Sequence, residues 1–150
     1  MSPPPPFTPP GPAQIDALLQ FLPVFEREGF VACWERSLPP GMELSPLDLD
    51  LAWEYAPELT AFGQAVYDEG FLYNFPWPEW QEQAERYVNE PHRLEQADLL
   101  DICRLLTTHV RKERFCSGHL PEMVECGHIS QVLRRLQTIR QAEASGAPPQ

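Results

Sequence analysis

The stretch His128-Ile129-Ser130-Gln131-Val132-Leu133-Arg134-Arg135-Leu136-Gln137-Thr138-Ile139-Arg140-Gln141 decides the fold class of this chain. Ile129, Val132, Leu133, Leu136 and Ile139 recur at i, i+3, i+4 and i+7. That spacing lines up one face of a helix of about 3.6 residues per turn, with Arg134, Arg135 and Arg140 set between the apolar positions. Upstream, Leu99, Ile102, Leu106 and Val110 repeat the pattern over residues 97–113. Leu59, Phe62 and Val66 mark a helix from Pro57, closed by Gly70. Trp80, Ala84, Tyr87 and Val88 mark another between Pro78 and about residue 89, stopped by Pro91. Ile15, Leu18, Leu19, Leu22 and Phe25 form a first stripe after Gly11-Pro12, which Pro23 should kink or restart. A short turn or helix is expected around residues 121–125.

Two segments leave this period. Residues 30–36 open on a short apolar run, and within residues 47–54 Leu47, Leu49, Leu51 and Trp53 alternate with Asp48, Asp50, Ala52 and Glu54. Alternation fits a two-faced strand, whereas Ser45-Pro46-Leu47-Asp48 has the look of a helix start. The sequence therefore predicts a mainly-α chain, an irregular bundle of five or six helices with at most a short β-hairpin. Seven of the 18 prolines fall in the first 12 residues, so residues 1–11 are expected to form a disordered tail. Residues 142–150 are expected to fray, which leaves a single helical domain over 12–141.

Composition excludes several classes. The chain has 150 residues, 43% of them hydrophobic, with no apolar run approaching the roughly 18–20 residues of a membrane span and no secretion signal. The expectation is a soluble, cytoplasmic protein with no membrane partner. The formal charge of −11 disfavours general duplex nucleic-acid binding, because it opposes the counterion-release term. That charge is uneven. Residues 1–103 carry 18 acidic and four basic side chains, a balance of −14, whereas residues 104–140 carry a balance of +4. Either the two parts complement each other within the fold, or the basic part forms a local anion site.

One segment concentrates reactive side chains: His109, Arg111, Lys112, Arg114, Cys116, His119, Cys126 and His128. Cys116, His119, Cys126 and His128 are the donor types of tetrahedral zinc, although the six residues between His119 and Cys126 are fewer than a finger uses. Removing Cys126 and adding His109 would leave a three-ligand catalytic site, and Glu122 or Glu125 could serve as base to a metal held by Cys116, His119 and His128. A Cys116 thiolate beside a histidine is a further option, but adjacency in sequence is a weak signal for a catalytic pair. His109, three residues after Leu106 on an apolar face, reads as a core histidine donating to a carbonyl. Cys33 and Cys103 read as core residues, and none of the four cysteines is expected in a disulfide. The aromatic run Phe71-Leu72-Tyr73-Asn74-Phe75-Pro76-Trp77-Pro78-Glu79-Trp80 reads either as packing at a helix junction or as a partner surface.

The run His109-Val110-Arg111, with Arg114-Phe115-Cys116-x-Gly118-His119-Leu120 and Gly127-His128-Ile129, resembles a family of small prokaryotic proteins known only as a domain of unknown function. Phe75-x-Trp77-x-x-Trp80 and Leu105-Leu106-Thr107 add to the resemblance, which spans most of residues 13–141. It implies a predominantly helical domain and no particular activity. In that family a small residue other than Cys is usual where this chain has Cys126, which leaves Arg111, Arg114, Cys116, His119 and His128 as the motif. The expectation is a binding or regulatory protein, not a dedicated enzyme. In it Arg111 and Arg114 would grip a small anionic, phosphate-containing ligand, with Cys116, His119 and His128 beside them. The alternatives are a zinc module or metal-dependent hydrolase using Cys116, His119 and His128, and a structural motif in a protein-interaction domain.

Overall fold

The computed structural model describes residues 7–35, 40–41 and 53–144. Among them run, in order, α1 (Pro12–Leu19), α2 (Leu22–Phe25), β1 (Cys33–Glu35), β2 (Trp53–Tyr55), α3 (Pro57–Asp68), α4 (Gln81–Asn89), α5 (Leu99–Glu113), α6 (His119–Glu125) and α7 (His128–Ala144). Two 3-10 turns, Trp77–Trp80 and Pro91–Gln96, flank α4. The fold is mainly α with one short antiparallel pair, as the periodicity predicts.

α5 is the central element and packs against α3, α4, α6 and α7. Ile102, Cys103, Leu105 and Leu106 are buried on it, so its apolar surface is wider than the single stripe read from the sequence. Asp98 sets its start: the carboxylate accepts the Asp101 amide at 2.8 Å, satisfying one of the donors a helix start leaves free. α7 buries Ile129, Val132, Leu133 and Leu136 against the same core. Its basic side chains reach the acidic N-terminal helices. Arg134 forks onto Glu26 at 2.8 and 2.7 Å, and Arg140 onto Asp16 at 2.9 and 3.3 Å. The two halves of the charge distribution therefore meet inside one fold.

The break after α1 falls before Pro23, not at it. Pro23 sits in the first turn of α2, where its missing N–H costs nothing. The strands pair Cys33 with Tyr55, Trp34 with Glu54 and Glu35 with Trp53. Residues 47–52 of the alternating run lie outside the described residues, as do residues 1–6 and 145–150 of the expected tails. Residues 7–10, expected in the first tail, reach the body: the Phe7 ring lies 4.7 Å from that of Tyr73, and Pro10 is buried. α7 continues past residue 141 to Ala144.

The aromatic run packs at a helix junction. Phe71 is fully buried, and Thr107 on α5 clamps the strand-like segment by accepting the Tyr73 amide at 2.8 Å and donating to the Phe71 carbonyl at 3.4 Å. This fixes the 3-10 turn and α4 over α5, and so forms one wall of the site described next. Among the described residues no helix is long and apolar enough to cross a membrane.

Candidate functional site

Three of the four histidines form one hydrogen-bonded chain where α5, α6 and α7 meet. His109 Nδ1 lies 2.9 Å from His119 Nε2, and His109 Nε2 lies 3.0 Å from His128 Nε2. Sequence and backbone explain the convergence. His109 is on the buried side of α5, one turn beyond Leu106. His119 and His128 each open a helix, and each follows a glycine with positive φ: Gly118 at 91° and Gly127 at 88°. In that left-handed region a side chain would be strained. The chain thus turns sharply twice, nine residues apart, and delivers a helix-leading imidazole to His109 each time.

A second network holds the geometry. The Glu113 carboxylate accepts the Leu120 amide at 2.9 Å through Oε1, and the Gly118 amide at 3.2 Å through Oε2. Tyr55 on β2 donates its hydroxyl to Glu113 Oε2 at 3.1 Å and accepts the Gly118 amide at 2.7 Å. A carboxylate therefore caps the first turn of α6, where the helix dipole favours it. Burial, with the neighbouring Glu113 charge, pushes the Tyr55 hydroxyl up to about 12, so it remains a donor.

The three imidazoles are neutral near pH 7. Burial holds His109 well below the usual histidine value, and the rings of His128 and His119 act in the same direction. Burial, with His119, lowers His128 to about 4. His119 is lowered by burial first and then by the Lys112 ammonium, against an opposite pull from Glu122. His128 Nδ1 is buried and, among the described residues, has no hydrogen-bond partner.

His119 also forms part of a cleft of about 300 Å³ between α4, α5 and α6. Lys112, Thr108, Glu122, Gln81, Glu85 and Asn89 bring polar groups to it, while Ala84, Val88 and Met123 supply apolar wall. His119 Nε2 is committed to His109, so Nδ1 is the nitrogen left for a ligand. His109 contributes to the floor, and His128 lies behind it, out of reach of solvent.

Residues 11–142 match the model of a family described as Family of unknown function (DUF6508). The chain belongs to that family. No curated protein and no solved structure matches the chain. The expected family resemblance therefore covers both the histidine chain and the cleft, since residues 81–128 lie inside the matched span.

The site differs in composition from the one read from the sequence. Arg111 lies two residues beyond His109, about 200° around α5, and so leaves the histidine chain on the other side. Arg114 caps α5 and is exposed beside Phe115, whose ring stacks on Trp77 with centroids 6.0 Å apart. Neither arginine lines the cleft. Cys116 and Cys126 are exposed thiols in the two turns, with the Cys126 thiol 3.6 Å from the Met123 carbonyl. Among the described residues no three His, Cys, Asp or Glu side chains are grouped to hold a metal ion. The zinc set Cys116, His119, Cys126 and His128 is not assembled: the nitrogens of His119 and His128 that point inward both face His109. His109 bonds to two imidazoles and not to a carbonyl. The sequence reading missed it as the centre of the site; it named Lys112 in the segment without giving it a role, and it missed Glu113 and Tyr55. The twice-used Gly-His pair was the available signal, because each pair ends a tight turn and starts a helix.

Proposed function

We propose that this chain is a small-molecule binding protein whose ligand occupies the α4–α5–α6 cleft. The carrying observation is the arrangement around His119. A neutral imidazole, fixed from behind by His109, stands in one polar cleft with the Lys112 ammonium and the side chains of Gln81 and Asn89. Such convergent polar groups on a partly apolar wall suit a small polar ligand. Lys112 and His119 favour an anionic oxygen at one end. Glu85 and Glu122, in the same lining, favour a cationic or hydrogen-bond-donating group on that ligand, so the ligand class is a dipolar molecule and not a polyanion.

A binding role fits better than acid–base catalysis. A proton held by His119 would face a neutral ring at Nε2, where a catalytic histidine is ordinarily backed by a carboxylate, and the Lys112 charge outweighs the pull of Glu122. The four free cysteines, two of them exposed, fit a reducing, cytoplasmic setting.

Amide chemical-shift titration against a panel of amino acids, small carboxylates and inorganic phosphate tests the reading. The expected result is saturable shifts in α4, α5 and α6 with a dipolar ligand, weakened about tenfold or more by Lys112→Met, a loss of about 1.4 kcal/mol. Shifts that are absent across the panel, or unchanged by Lys112→Met, would overturn it.

A further inference from the structure

Residues 1–103 contain only four basic side chains among 18 acids, and two of those four, Arg86 and Arg93, meet in a second cleft. It encloses about 600 Å³ on the face of α4 away from the histidine chain's cleft. Local sequence explains it. Arg86 and Tyr87 lie one turn beyond Gln83 on α4. Pro91 then stops the helix, and the Pro91–Gln96 turn folds His92 and Arg93 back alongside them. Trp80, at the end of the preceding turn, closes the end of the groove, with its ring 6.1 Å from that of Tyr87.

We propose that this second cleft binds a planar ring carrying an anionic group, the chemistry shared by aryl phosphates and nucleotides. Arg86 and Arg93 supply two guanidinium forks, and among the described residues each is engaged by one short carboxylate contact. Arg86 meets Glu82 at 3.2 Å, and Arg93 meets Glu90 at 3.1 Å. Both pairs are exposed, and exposed pairs contribute little, so a doubly charged group offering bidentate bonds can replace them. The acid within the cleft, Asp101, is already paired with Arg104 at 3.2 Å and accepts the Tyr87 hydroxyl. Trp80 and Tyr87 give the ring a stacking wall, and the Arg planes can stack on it as well. The site is independent of the ligand proposed for the histidine cleft.

Calorimetry with phenyl phosphate and adenosine 5′-monophosphate is the test, with inorganic phosphate, phenol and adenosine as partial probes, and with the Trp80 indole N–H followed by NMR. The expected result is binding of at least one of the two complete probes, about tenfold or more tighter than its separate halves. Arg86→Gln and Arg93→Gln should each weaken it about tenfold, and Trp80→Leu should weaken the ring-bearing probe but not inorganic phosphate. Lys112→Met, in the other cleft, should leave it unchanged. Failure of both complete probes to bind, or binding indifferent to Arg86→Gln and Arg93→Gln in variants that melt as the parent does, would overturn the proposal.

Discussion

At the scale of single residues the decisive feature is His109, which uses both ring nitrogens although a neutral imidazole carries one proton. It must donate once and accept once, so the chain His128–His109–His119 runs in one direction or the other as a unit. Among the described residues the buried end at His128 Nδ1 has no partner to pass a proton to, so the chain fixes ring positions and does not conduct. His109→Leu would strand His128 with neither nitrogen paired, whereas His128→Leu strands one nitrogen of His109 and removes the orphan. The first should therefore cost about 2–3 kcal/mol and the second about 1 kcal/mol in urea unfolding, and the reverse order would contradict the account. The same burial sets a pH dependence. In the unfolded chain a histidine binds its proton near 6.5, whereas folded His128 holds out to about 4 and buried His109 is likewise held well below its ordinary value. Between those values the unfolded state binds more protons, so stability is full above about 6.5 and falls as pH drops toward 4. His109→Leu should flatten that slope by one group, read from melting curves between pH 4 and 7.

At the scale of elements the site depends on how α6 begins. Glu113, at the end of α5, accepts from the Gly118 and Leu120 amides and the Tyr55 hydroxyl, and so joins α5, α6 and β2. Glu113→Ala should leave two part-buried donors, the Leu120 amide and the Tyr55 hydroxyl, without their acceptor, while the Gly118 amide keeps Tyr55, and should cost about 2–3 kcal/mol, with Tyr55→Phe costing about 1 kcal/mol. Because the groups share one network, the double variant should lose less than the sum. Faster amide exchange at Leu120 in Glu113→Ala would locate the loss at the start of α6, and unchanged exchange there would refute the capping role. Element scale is also where the sequence was most and least legible. α5 and α7 were plain because Leu106 and Leu133 each belong to a long periodic stripe, and periodicity reports burial directly. Pairing of Cys33 with Tyr55 joins segments 22 residues apart, a fact that no local pattern contains. The site was legible as a segment but not as a geometry. Arg111 and His109 are neighbours in sequence yet lie on different sides of α5, and only the helix phase separates them.

At the scale of the whole molecule the opposing charges of the two parts find one another across α7. Arg134 and Arg140 bind Glu26 and Asp16, more than 100 residues earlier, and draw the first helices over the core. Four of the core's fully buried side chains, Ile15, Leu18, Leu133 and Leu136, lie on the helices that those pairs span. The division of labour follows from magnitudes. Burying a leucine or isoleucine contributes about 1.5–3 kcal/mol, while an exposed ion pair contributes about 0–1 kcal/mol. Apolar burial therefore holds α1 against α7, and the arginines choose its register in a chain whose net charge of −11 would otherwise push the acidic helices apart. The double variant Arg134→Gln with Arg140→Gln should accordingly lose only about 1–2 kcal/mol in dilute buffer. That loss should shrink toward zero as salt is raised from about 0.05 to 1 M, where the screening length falls to about 3 Å. Urea titrations at the two salt concentrations measure it. A loss that is independent of salt would mean that the arginines act through the packing of their aliphatic stems and not through charge.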